Sequence, residues 1–552
     1  MYQDGKILVG LAGEEKVYIY PKMANRHGLI AGATGTGKTI TLKVLAESFS
    51  DLGVPVFLAD AKGDLAAMCQ SGDPSGSVGE RVEKLGLTEL GFTFKGFPSV
   101  YWDVYQKNGI PLRTTISEMG PLLLSRILGL NDTQSDILTV VFKIADDQGL
   151  LLIDTKDLKA MISYVGENAK DYSLEYGNIA KQSLAAITRA IVALESEGAE
   201  MFFGEPALNI KDLLCTDCDG KGQINILDCQ ELMQNPTMYA TFMLWMMSEL
   251  FESLPEAGDL DKPRIVFFFD EAHMLFHRAS PDLLSKVEQV VKLIRSKGVG
   301  IYFISQYPSD IPDGVLGQLG NKVQHALHAY TPKEQKAAKA ASESFRANEA
   351  FKTYETLISL GVGEALVSVL DEKGIPTVVQ KTTILPPQSQ MGTLDDAIRE
   401  QQLASSNLAL QYQDFFDRDS AYEFLVRRAE ENSLLLQKAK EEAEALKEQQ
   451  RLEKEALAEQ LRQEKEAARE QARLDREAQK EAERLAKEQA AKDRKMQAEI
   501  KKVGSSAAGT IGREVGKTFG NAIGGTFGRR LGGNVGASLG RGILNTFFNL
   551  KG

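Results

Sequence analysis

Residues 27–45 read HGLIAGATGTGKTITLKVL: a short apolar run, a loop with three glycines in six positions, and an amphipathic stretch. That order is a strand, a tight turn and the start of a helix. Gly32, Ala33, Thr34, Gly35, Thr36, Gly37, Lys38 and Thr39 fit the pattern G-x-x-x-x-G-K-[ST]. In such a loop the glycines let backbone N–H groups curl around phosphates, and the helix N-terminus adds its dipole. Lys38 is expected to reach the β- and γ-phosphates of a bound ATP, and the Thr39 hydroxyl to ligate Mg²⁺.

Such a site needs a carboxylate partner. RIVFFFDEAHML (264–275) supplies five apolar residues and then Asp270 and Glu271. An aspartate ending a buried strand is placed to hold the Mg²⁺ shell, and a glutamate directly after it can activate the attacking water. The next strand ends in FISQYP. Gln306 there can both donate and accept hydrogen bonds, which suits sensing of the γ-phosphate or the water if the two strands are neighbours. Between them lies VVKLIRSKGVG, in which Arg295 or Lys297 is a candidate for presentation to a neighbouring subunit's nucleotide. The planar fork of Arg295 is better suited to phosphate, with a surface arginine as the alternative.

Working outward, residues 1 to about 385 alternate apolar runs with amphipathic stretches, the pattern of an α/β domain with a largely parallel sheet. HGLIAG, VPVFLAD (54–60), RIVFFFD, GIYFISQ (300–306) and KVQHALHAY (322–330) are the expected strands, and GEALVSVLDEKGIPTVV the closing hairpin. A helical insertion is expected over about 116–195, a partly helical linker over 386–426 and a charged helix over 427–503. No Gly or Pro occurs between Gly392 and Gly504, so the chain is expected to be helical from about 397 onward. Opposite charges spaced three and four apart stabilise the charged segment. Its leucines keep no steady heptad, which leaves a solvated single helix or a coiled coil. As a rod its 77 residues would span roughly 115 Å.

In the segment 504–552 Gly512, Gly516, Gly520, Gly524, Gly528, Gly532, Gly536 and Gly540 recur every fourth residue, each preceded by an apolar side chain. Such a stripe lets helix backbones approach closely. Glycine costs about 1 kcal/mol against alanine in a lone helix, so a partner is expected: a second copy, a protein or a membrane surface. A low-complexity tail is the alternative.

The formal charge of -12 conceals an asymmetry. Residues 427–503 carry 20 basic and 19 acidic side chains, residues 504–552 carry 6 and 1, and residues 1–426 the remaining 38 and 56, a net of -18. A broad nucleic-acid surface needs positive patches. Any contact of the core with DNA is therefore confined to a local patch such as a ring lumen. The N-terminus lacks the pattern of a secretory signal, no run of eighteen apolar residues occurs, and four cysteines do not make a disulfide scaffold. A cytoplasmic protein, peripherally membrane-associated if at all, is expected.

Taken together, GATGTGKT, LADAKGDLA, GPLLLSRILGLNDTQ, FFGEPAL, FFFDEAHMLF, LIRSKGVGIYFISQYPSDIPDGVLGQLGNKVQHAL and LGVGEALVSVLDEKGIPT resemble the HerA/FtsK superfamily of additional-strand P-loop ATPases, most closely its bacterial HerA-like, YjgR-type group. The resemblance covers roughly residues 5–385. It implies a RecA-like fold, hexameric rings and nucleotide at subunit interfaces, with Lys38 and Thr39 in the P-loop, Asp270 and Glu271 in Walker B, and Gln306 as sensor. The family's trans-acting arginine, about two dozen residues beyond Walker B, falls at Arg295. Two departures stand out: only about 31 residues precede Gly32, too few for an N-terminal β-barrel, and His328 stands where an arginine is expected.

Several other groups carry weaker signals. Cys215, Cys218 and Cys229 lack a fourth ligand for zinc and suggest a hairpin or loop. Asp60, Lys62 and Asp64 follow the second strand at the ligand-bearing end of the sheet, as a nucleotide neighbour or a solvated turn. His273 and His277 are expected to be structural, and Phe267–Phe269 to be core. The expected function is an ATP-driven ring motor on DNA. The alternatives are an ATPase acting on a protein assembly or membrane surface through its C-terminal segments, and a nucleotide-controlled scaffold.

Overall fold

The computed structural model describes residues 1–276 and 281–500. Segment 504–552 and His277 lie outside the described residues. By its internal contacts the chain divides into Met1–Leu436 and Gln437–Gly552.

The first unit is built on a mixed sheet of thirteen strands: β1 (Tyr2–Gln3), β2 (Lys6–Ala12), β3 (Glu15–Ile19), β4 (Gly28–Ala31), β5 (Val56–Asp60), β6 (Ser99–Asp103), β7 (Ile110–Pro111), β8 (Ile224–Asp228), β9 (Ile265–Phe269), β10 (Val299–Ser305), β11 (Asn321–His325), β12 (Glu364–Ser368) and β13 (Gln380–Ile384). The order runs β1-β2-β13-β12-β11-β4-β10-β9-β5-β8-β6-β7, with β3 also on β2. From β11 to β7 all pairs are parallel, and from β11 through β12 and β13 to β2 they are antiparallel.

The central strands lack polar alternation because both faces are covered. Along β9, Ile265, Phe267 and Phe269 enter one core cluster while Val266 and Phe268 enter the other. The second cluster contains Leu42, Leu45, Ala46 and Phe49 of the helix Lys38–Asp51, which follows the glycine-rich loop. On the opposite face lie the helices Pro236–Ser253 and Pro281–Ile294 and a helical layer at 116–196. That layer's local signals agree with its ends: Thr115 with Glu118, Asn131 with Gln134 and Asp154 with Asp157 form capping boxes. Rings on this face align, Phe57 on Phe267 at 4.9 Å and Phe269 on Phe303 at 5.7 Å.

The structure departs from expectation in four places. The strand expected to run to 330 ends at His325, where the chain turns towards Pro332. The second arm of the hairpin is Gln380–Ile384, a few residues later than expected. Helix from 397 onward is interrupted: Asp396–Ala404 and Asn407–Tyr412 come first, and Ala421–Ile500 starts only after a non-helical stretch. Segment 386–426, expected as a partly helical linker, lies as a strap bound into the first unit. Glu47 accepts the N–H groups of Gln388 and Ser389 at 2.8 and 3.0 Å, Arg113 donates to Tyr412 O at 2.8 Å, and Asp157 accepts the N–H of Tyr422 at 2.8 Å. Tyr412, Ala421 and Leu425 are buried in the core. Within the second unit the helix continues to Ile500, its leucines, Leu446 to Leu485, exposed.

Candidate functional site

Parallel strands deliver their following loops to one edge, and the sheet register decides which loops meet. Ser305 is level with Ala31 and Phe303 with Phe269, so the ends of β4, β10 and β9 stand side by side. This gathers Gly32–Thr39, Asp270, Glu271 and Gln306. Two backbone bonds tie the three together: Gly32 N–H donates to Ser305 O at 3.3 Å, and Ala272 N–H to Ile304 O at 2.9 Å.

Within the loop, Thr34 and Gly35 form the exposed tip. Gly35 and Gly37 have φ of 80° and 115°, conformations that side chains other than glycine resist. Thr36 closes the turn by donating its hydroxyl to Ala33 O at 2.7 Å. Thr39 is the second residue of the helix. Lys38 Nζ curls over the loop to the carbonyls of Gly32 and Ala33, at 2.7 and 3.1 Å. Burial lowers its pKa, while Glu271 and Asp270 act in the opposite direction and Lys62 adds to the lowering.

Asp270 is fixed from two sides. Its carbonyl accepts the Tyr239 hydroxyl at 2.6 Å, and its carboxylate accepts the N–H of Glu271 at 2.8 Å. Burial, then the charge of Glu271, pushes its pKa up to about 6. A carboxylate so placed gains most from a cation, and with the Thr39 hydroxyl it is the donor set that Mg²⁺ beside phosphate takes. The residues present fit the metal. Glu271 has φ of 47°, the left-handed region, and its Oε2 lies 3.3 Å from His273 Nδ1. A non-glycine residue held there is strained by about 1–3 kcal/mol, which is commonest at working sites. Asp310 accepts from Ser305 Oγ at 2.7 Å and Tyr307 N–H at 2.9 Å, and so fixes the turn that carries Gln306.

The remaining candidates lie elsewhere or serve the fold. Arg295 precedes β10 and stands at the opposite end of that strand from Gln306, where its charge acts on buried His27. Asp60 is taken up by its own turn, accepting from Gly63 N–H at 2.7 Å and Leu65 N–H at 3.0 Å, while Lys62 stays exposed. Asp64 helps raise the pKa of Asp60 to about 6, after burial itself. Cys215 and Cys218 are exposed and Cys229 is buried; among the described residues no group of three or more His, Cys, Asp or Glu could hold a metal. His328 is exposed and stacks on Tyr330 at 5.2 Å. Sequence reading missed His325, which lies under the loop. Its strand reads NKVQH, polar but for Val323, and carries no local signal; the histidine becomes informative only once β11 is known to lie beside β4.

A phosphate loop after β4, paired carboxylates after β9 and the strand β10 inserted between them define a P-loop NTPase of the additional-strand class. The profile described as Helicase HerA-like C-terminal matches residues 7–547, and the chain belongs to that family. It is 25% identical over 391 residues to the DNA double-strand break repair helicase HerA of Saccharolobus solfataricus, covering 66% of each chain. To the protein of the same description from Sulfolobus acidocaldarius it is 21% identical over 379 residues, covering 68% of each. The chain thus spans about two thirds of the length of these relatives. Similar solved structures include VirB4 of Thermoanaerobacter pseudethanolicus (17% identity, 70% of this chain and 97% of that one, TM-score 0.45). Another is the plasmid coupling protein TrwB with the ATP analogue ADPNP (16% identity, 72% and 92%, TM-score 0.46). Among the described residues no helix is long and apolar enough to cross a membrane.

Proposed function

We propose that the chain is a Mg²⁺-dependent ATPase working as a ring, most simply a homo-hexamer, that moves or opens DNA in the cytoplasm. The observation that carries this is the meeting of Lys38, Asp270, Glu271 and Gln306 across three adjacent strand ends. The loop N–H groups and Lys38 hold the phosphates. Asp270 and Thr39 would hold Mg²⁺, which supplies charge neutralisation at the phosphate oxygens. Glu271 takes the proton of the attacking water, and the Gln306 amide orients that water against the γ-phosphate. Arg295, at the opposite end of the central strand β10 from Gln306, would serve the nucleotide of a neighbouring copy, the trans role that the family resemblance implies. The DNA assignment rests on the printed function of the HerA relatives.

The test is steady-state ATP turnover of the full chain, with Glu271→Gln as the blank, without nucleic acid and with single- or double-stranded DNA at two salt concentrations. Removing a general base costs about 10²–10⁴-fold. Stimulation by DNA that falls with salt supports the motor. One observation favours a second reading, an ATPase whose cargo or anchor is a protein assembly or membrane surface: the helix Ala421–Ile500, exposed over residues 426–489, precedes in the sequence a segment, 504–552, with 6 basic and 1 acidic side chains. Turnover indifferent to DNA, together with vesicle binding lost on deletion of 504–552, would move the assignment there.

A further inference from the structure

His325 ends β11 with no exposed surface, and Gln324 is level with Ala31 of β4, which places the histidine beside Gly32. Its Nδ1 lies 3.1 Å from Glu364 O. A carbonyl only accepts, so Nδ1 carries the hydrogen and Nε2 is left as an acceptor. Its partner is the hydroxyl of Thr41, 2.8 Å away and fully buried in the first turn of the helix Lys38–Asp51. Burial, opposed by the bond to Glu364 and assisted by the charge of Lys38, pushes the imidazole's pKa down to about 4, so the neutral tautomer persists at neutral pH.

The side chain also meets the loop sterically. A Cβ on Gly32 would stand 2.5 Å from His325 Cβ, and one on Gly37 would stand 3.4 Å from His325 Cε1. Two backbone bonds complete the seat: Ala33 N–H donates to Ala326 O at 2.9 Å, and Gly363 N–H to Thr36 O at 3.0 Å. Gly363 is in turn fixed by Arg81, which donates to Gly363 O at 2.8 Å and Ile384 O at 3.0 Å. The phosphate loop therefore rests on a floor made by the ends of β11 and β12, not on its own strand alone.

We propose that His325 is a positioning residue of the phosphate loop: by bridging Thr41 and Glu364 it fixes the height at which the loop N–H groups and Lys38 meet the phosphates. This deepens the ATPase reading and rests on it. Interactions of that kind act on bound substrate and transition state alike, so their loss raises KM with little change in kcat.

The experiment uses the full chain and three variants. His325→Phe keeps a ring without polar atoms, His325→Gln keeps one donor and one acceptor, and Thr41→Val removes only the hydroxyl. Direct MgADP binding, steady-state kinetics and thermal melting are measured for each. His325→Phe is expected to weaken MgADP and raise KM about tenfold with kcat within about threefold, Thr41→Val to act in the same direction more weakly, and His325→Gln to recover most of the loss. Wild-type affinity and KM in folded His325→Phe overturn the proposal. If that variant does not fold, unchanged affinity in Thr41→Val overturns it. A lowered melting temperature with unchanged MgADP affinity also overturns it, leaving His325 a residue of stability only. Wild-type protein without Glu271-dependent turnover would instead sink the ATPase reading, and MgADP binding would still decide the role of His325.

Discussion

Asp270 and Glu271 share one short turn, and their environments drive them apart. Asp270 is pulled from water and carries the neighbouring charge, whereas Glu271 is turned by its left-handed backbone towards His273. An acid whose folded pKa is raised, here from 3.8 to about 6, binds more protons folded than unfolded within that window. Its contribution to stability is therefore largest below the unfolded value and is lost as pH rises through about 6. Asp270→Asn should accordingly stabilise the metal-free, nucleotide-free protein at pH 7 by about 1–3 kcal/mol, with the gain vanishing near pH 4. Denaturant melts at the two pH values in chelator check this, and equal gains at both would refute it. The same variant should lose ATP turnover, the usual exchange of stability for a charged site.

At the scale of elements, much was legible and the omissions share a cause. FLAD, VYWD, NILD and FFFD each end an apolar run in aspartate, at Asp60, Asp103, Asp228 and Asp270. Asp60, Asp103 and Asp228 lie level on adjacent strands β5, β6 and β8, each accepting N–H groups of the turn that follows it. The first and last of the four runs were readable because they are long and uniformly apolar. Ser99–Asp103 and Ile224–Asp228 are less legible, because Ser99 leaves only three apolar residues in the first and Asn225 breaks the run of the second. Asn225 is nonetheless fully buried, its side chain accepting from Trp102 Nε1 at 3.0 Å and donating to Val56 O at 3.2 Å. The strap is hard to read for the opposite reason: its sequence is polar, and its bonds to Glu47, Arg113 and Asp157 are announced by no local pattern. Compared with a chain ended after Leu436, one ended after Leu385 should lose at least about 4 kcal/mol, since it exposes the sites of Tyr412 and Leu425 and leaves buried Glu47 without its donors. Comparable melting of the two truncations would restore the linker reading.

At the scale of the whole molecule, the loops were placed by motif, but their meeting depends on strand order, which sequence does not carry without a resemblance to guide it. His325 and Thr41 are 284 residues apart, and only the β11–β4 register joins them. Arg295 presents the complementary case: among the described residues it stands at the end of β10 away from the phosphate loop. If it serves a neighbour, mixing Arg295→Ala with Lys38→Ala subunits should recover measurable turnover that neither has alone, because some interfaces would pair an intact loop with an intact arginine. No recovery in a mixture shown to exchange subunits would assign Arg295 to the surface.

The margins of the sheet bear on how such an assembly can be held. At one margin β7 has only two residues and closes on Pro111, which has no N–H to offer; at the other, β1 is equally short and β3 carries Glu15 and Lys16. Short, charged or proline-bearing margins discourage strand addition. Copies of this chain are thus unsuited to prolonging one another's backbone ladder. If copies of this chain assemble as proposed, contacts of the described residues would then be made by side chains, which salt or a single substitution can loosen while each protomer stays folded.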